Sequence, residues 1–152
     1  MTHSAQQTQS TDRLARLGRT TFIIGSVVFI LIGAFHTFVQ VTDMSASGIR
    51  QPLEAIGMVK NVDATAWELW AGLGLLMGFF AIALGASNLA GLFDRHGSGQ
   101  PALGVCLVNI AMLISISTIG VLYLGPLQLA GGPIGGVLFG IPAIAAFRRP
   151  AG

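Results

Sequence analysis

Hydrophobic and polar positions in this chain fall into long blocks instead of alternating. No charged residue occurs between Gly97 and Phe147, a stretch too long for one bilayer crossing and about right for two. A helix crosses ~30 Å of hydrocarbon in about 20 residues, and by that measure four spans are predicted: 20–41, 67–93, 101–123 and 127–147. Pro101 suits a helix start, where its missing N–H costs nothing, and Gly125-Pro126 suits a tight turn joining spans three and four into a helical hairpin. Residues 1–19 are rich in Gln, Thr and Ser up to the arginines at 13, 16 and 19 and are expected to be disordered; residues 148–152 form a short tail. The apolar part of the first span exceeds the roughly 7–15 residues of a signal-peptide core, and Ser45-Ala46-Ser47 imitates a cleavage site poorly, so this span is read as retained. Between spans one and two, Pro52 to Lys60 places Leu53, Ile56 and Val59 at helical spacing, which predicts a short amphipathic helix resting on the bundle mouth or on lipid, as a linker or as a lid. The fold expected is all-α: a polytopic membrane protein, a four-transmembrane-helix bundle with that short amphipathic segment in its outer loop.

Composition strengthens this picture. The chain is 53% hydrophobic and 9% charged, with a mean hydropathy of +0.74, against roughly 25% charged residues in soluble domains. A pI near 9.3 could suggest nucleic acid, but the net charge is only +2 and the arginines border apolar runs, where bilayer orientation accounts for them; no nucleic-acid partner is expected. Arg13, Arg16, Arg19, Arg95, Arg148 and Arg149 fall on one side of the predicted spans, and Arg50 and Lys60 on the other. Six against two puts both termini and the Asp94-Arg95-His96 loop in the cytoplasm and the loop from Thr42 to Ala66 outside. Trp67 and Trp70 then stand at the outer interface.

Small residues mark the helix faces that pack. Gly132, Gly136 and Gly140 repeat every four residues in the fourth span, with Gly131 and Gly135 beside them, and Gly74 and Gly78 do so in the second, followed by Ala81 and Gly85. In lipid the hydrophobic effect does not drive helices together, so close backbone approach must. These faces serve packing within one chain or a homo-oligomer. Pro133 and Pro142 are expected to kink the fourth helix. Asn88 and Asn109 fall at similar depths on consecutive helices, where an interhelical amide pair is expected, a structural contact of about 1 kcal/mol.

Chemistry would have to come from polar groups within the membrane. His36 lies about 7 Å below the outer end of the first span, with Gln40 one turn above, and Glu68 opens the second helix at similar height. Ser115, Ser117, Thr118 and Gln128 lie at comparable depth on the last two spans. A histidine beside a carboxylate can exchange protons near neutral pH, and Trp67 and Trp70 could help to hold a ligand. Against this, Thr65-Ala66-Trp67-Glu68 reads as a capping box, which accounts for Glu68 without any function. Cys106 is the only cysteine, so paired-cysteine redox chemistry is excluded. His3 and His96 lie on the opposite side from His36, and neither a metal nor a cofactor is expected.

Gly33-Ala34-Phe35-His36, the outer segment carrying Met58, and Trp67-Glu68-Leu69-Trp70-Ala71-Gly72 resemble small bacterial four-helix inner-membrane proteins with no assigned biochemistry, over residues 1–90. The chain is more remotely similar to DoxX-like proteins. The resemblance implies a four-helix bundle in a bacterial inner membrane and carries over no functional residue. Three roles follow from the residues: a bundle that binds a hydrophobic, lipid-like small molecule at its outer mouth through His36, Gln40, Glu68, Trp67 and Trp70, with membrane lipid as its surroundings; an enzyme moving protons between His36 and Glu68 on a lipid-soluble substrate; or a transporter or pore subunit or passive accessory protein. The first is preferred. The spans offer no second deep carboxylate for an enzyme and no charged ring for a pore.

Overall fold

The computed structural model describes residues 2–43, 48, 50–56, 64–93, 99–124 and 131–148. Its elements are the helices α1 (Thr2–Asp43), α2 (Arg50–Ala55), α3 (Ala66–Phe93), α4 (Leu103–Leu124) and α5 (Gly131–Phe147). Ser10–Thr42 within α1 and Ala66–Phe93 are each long and apolar enough to cross a membrane, and Leu103–Thr118 and Pro133–Phe147 are shorter apolar helices. The expected disorder of residues 1–19 is corrected, because α1 starts at Thr2. No glycine or proline interrupts the chain before Gly18, and extending an existing helix costs far less than starting one. Pro133 is corrected too: it lies in the first turn of α5, where helix N–H groups have no partner, so it starts the helix and does not kink it. Pro142 is inside α5. The predicted Gly125-Pro126 turn, Gln128, the 94–96 loop and the segment from Met58 to Lys60 lie outside the described residues.

The chain divides into two compact units. In the unit made of Met1–Val27 and Ser87–Gly152, the first part of α1 runs antiparallel to α5. A Cβ on Gly18 would lie 2.9 Å from that of Ala145 and 3.2 Å from Cα of Pro142, and one on Gly25 would lie 2.8 Å from the Phe139 ring. Phe22 meets Phe139 edge to face, with centroids 5.8 Å apart. Leu113 of α4 fills the space beside Gly135 of α5. The deepest side chains here, Phe22, Phe139, Pro142, Cys106, Ser26 and Asn109, include two polar ones. Ser26 donates to the Phe22 carbonyl at 2.8 Å, which a helix permits without outside help.

In the unit Val28–Ala86, α1 and α3 cross backbone against backbone. A Cβ on Gly33 would sit 2.5 Å from the Gly78 carbonyl oxygen and 2.9 Å from the Ile82 nitrogen. One on Gly78 would sit 3.0 Å from the Gly33 carbonyl oxygen and would strike Thr37 Oγ1. One turn away, the Gln40 amide occupies the space a Cβ on Gly74 would need. The register 33–78, 37–78, 40–74 runs in opposite directions along the two helices, so they are antiparallel. Along α3 the buried positions Trp67, Ala71, Gly74, Gly78, Gly85, Asn88 and Leu92 keep to the three-and-four spacing of one helix face. Outside that face, large apolar residues are uncovered: Leu31 is 62% exposed, Phe35 69% and Phe80 61%.

Candidate functional site

The outer polar cluster is built on the α1 and α3 ends of the second unit, and the structure separates its members. Gln40 is buried at 6% exposure against Gly74, and its amide makes no hydrogen bond with another described residue. His36 is exposed. The reason is angular: the seam on α1 runs through Gly33, Thr37 and Gln40, and each residue advances about 100° around the helix, so His36, one residue before Thr37, falls off the edge of that seam.

Glu68 is engaged elsewhere. Its Oε2 accepts from the Thr65 backbone N–H at 2.7 Å and from the Thr65 hydroxyl at 3.0 Å, while the Glu68 N–H donates to Thr65 Oγ1 at 3.2 Å. This is a complete capping box. No hydrogen bond joins His36 to Glu68 among the described residues, and the shared His36/Glu68 site expected from their depths is not formed.

Trp67 is buried and stacks on Trp70, with ring centroids 5.3 Å apart and planes 28° apart. The Arg50 guanidinium carbon of α2 lies 5.8 Å from the Trp67 ring centroid, and Arg50 Nε donates to Glu54 Oε1 at 2.7 Å. The short helix is thereby tied to the start of α3 by a cation–π contact. It spans Arg50–Ala55 with no buried residue, and Ile56 after it is 66% exposed; the described part of the predicted amphipathic segment covers nothing as a lid would.

The other polar positions satisfy themselves locally or in pairs. Ser115 donates to the Ala111 carbonyl at 2.9 Å and Thr118 to that of Ile114 at 2.8 Å; Ser117 is half-buried. In the first unit, Asn88 Nδ2 donates to Asn109 Oδ1 at 2.9 Å, and Asn109 Nδ2 returns a bond to Asn88 Oδ1 at 3.2 Å. A further bond from Asn109 Nδ2 reaches the Val105 carbonyl at 2.7 Å. Both amides are buried. Among the described residues no group of three metal-ligating side chains occurs.

The glycine faces divide. Gly74 and Gly78 stand against α1, whereas a Cβ on Gly136 or Gly140 would meet nothing within 4 Å. On α5 it is the neighbouring Gly135 that meets Leu113 of α4, while Gly136 is exposed and Gly140 half-buried. The surroundings of Gly132 lie outside the described residues. Sequence reasoning missed the Gly33/Thr37/Gln40 seam. Its signal was a small or polar residue at spacings of four and three among Leu, Ile and Phe.

No family model, curated protein or solved structure matches the chain.

Proposed function

We propose that this chain is a multi-pass integral membrane protein with four spans, lying in a bacterial inner membrane with both termini cytoplasmic. The observation that carries this reading is the apolar exterior. Phe35, Phe38, Phe79, Phe80, Phe93 and Phe147 are exposed, while the polar Ser26, Gln40, Asn88 and Asn109 are buried, as are Phe22 and Phe139. Leaving six such rings in water would forfeit on the order of 10 kcal/mol, as much as the whole stability of an ordinary domain. In hydrocarbon that loss disappears, and small interfacial residues with paired amides are what holds helices together there. The antiparallel packing of α1 on α5 supports placing both termini on one side. The chain should stay in the membrane fraction through alkaline carbonate extraction, and release into the soluble fraction would overturn the reading.

Within the membrane the role is binding, not proton transfer, since Glu68 is held by its cap and His36 is turned off the seam. One observation favours the outer mouth as a place where a lipid-like molecule binds: the buried Gln40 amide beside Gly74. The amide has no hydrogen bond with another described residue; a buried amide without any partner costs about 1–3 kcal/mol, and a ligand hydroxyl or carbonyl would supply one. The Gln40→Leu variant separates the possibilities. Under the ligand reading, lipid-like molecules copurifying with the wild type, identified by mass spectrometry, are lost from a variant that is at least as thermostable. An unchanged lipid profile would leave a passive bundle.

A further inference from the structure

At the end of the first unit where α5 stops, the described cationic side chains are all arginines, with Asp12 the described acidic residue among them. We propose that Arg13, Arg16 and Arg148, at one level along the helices of this unit, bind the phosphates of anionic phospholipid headgroups. The proposal rests on the membrane reading above. Gly18 decides the geometry: with no side chain, it lets α1 lie directly on Ala145 and Pro142 of α5, antiparallel, so that Arg16, two residues before Gly18, and Arg148, three after Ala145, come to the same end. Arg148 is held in a further helical turn by its N–H bond to the Ile144 carbonyl at 3.1 Å. Arg13, Arg16 and Arg148 are all exposed. Arg19 is exposed as well, with its guanidinium beside Gly99, and Asp12 is the described acidic residue that adjoins them on α1.

Two features select lipid phosphate over a general preference for positive charge. Lys60 is the only lysine in the chain and belongs to the other side. The orientation rule treats lysine and arginine alike, but a guanidinium fork grips phosphate through two parallel hydrogen bonds and an ammonium does not. The second feature is depth. Arg13 to Arg19 rises about 9 Å along the helix, close to the roughly 5–8 Å thickness of one headgroup layer. Leu17, between the arginines, is 50% exposed, and the apolar stretch of α1 follows at once. The arginines therefore border hydrocarbon, where a diacyl phosphate lies and a nucleic acid does not.

The test uses the full chain reconstituted in phosphatidylcholine vesicles with and without phosphatidylglycerol. Phosphatidylglycerol should raise the melting temperature and appear as bound lipid in native mass spectra. The triple variant R13Q/R16Q/R148Q should lose that rise while melting like the wild type in phosphatidylcholine, with affinity falling roughly fivefold per arginine removed. R13K/R16K/R148K should keep only part of it. No preference for phosphatidylglycerol in the wild type, or a preference undiminished in the glutamine variant, would overturn the proposal. So would inorganic phosphate reproducing the effect in phosphatidylcholine, since the ligand would then be free phosphate. Failure to enter vesicles at all would overturn the membrane reading and this inference with it, a result distinct from entry without lipid preference.

Discussion

At the scale of single residues, the same amino acid does opposite work at different positions. Gly33 is a contact: the atoms a Cβ would meet include backbone of α3 at 2.5 and 2.9 Å, and backbone in a helix cannot step aside. Gly136 is open space. Gly33→Ala should therefore cost about 1–3 kcal/mol through overpacking, while Gly136→Ala should change stability by no more than about 0.5 kcal/mol. Thermal unfolding in detergent checks both, and equal losses would mean that the seam is misplaced. Gly136→Ile adds a second reading of this exposed position. A shift in oligomer size with unchanged monomer stability would show that α5 meets another chain.

At the scale of elements, α3 is started by chemistry local to four residues. Thr65 and Glu68 exchange three hydrogen bonds, and loss of such a cap costs about 0.5–2 kcal/mol. Thr65→Ala should lower the melting temperature accordingly. Glu68→Gln should be much milder, because glutamine completes the same box. His36→Ala should leave stability unchanged, since the residue is exposed. A large loss of stability on His36→Ala, or coupling between His36 and Glu68 in a double-mutant cycle, would restore the pairing that the structure does not form. The Asn88–Asn109 pair is the opposite case, joining two helices through mutual amide bonds that neither could satisfy alone.

For the whole molecule, the hydrophobic blocks and the arginine bias make a joint prediction about topology. Reporter fusions after Ala55 and Gly125 should read outside, and those after His96 and Gly152 inside. An outside signal at Gly152 would leave an odd number of spans and overturn the four-span proposal. The antiparallel contacts of α1 with α5, and of α1 with α3, already require chain reversals compatible with that order.

The sequence by itself determined that the chain is helical and where the apolar helices lie, because block length and the absence of charge depend on no partner. It also held the capping box and the amide pair, both visible as residue types at fixed spacing. It did not determine that residues 2–19 continue α1, because helix propagation from a downstream segment outweighs their polar composition. Nor did it say which glycines touch. Gly135 and Gly136 are neighbours in sequence and equally small, yet one lies under Leu113 and the other is exposed, a choice made by the rotation of α5 about its axis. The same kind of rotation decided the fate of His36 and Gln40. Depth along a helix is set by counting residues, but direction around it is set by which neighbour it packs against, and that only the tertiary structure supplies.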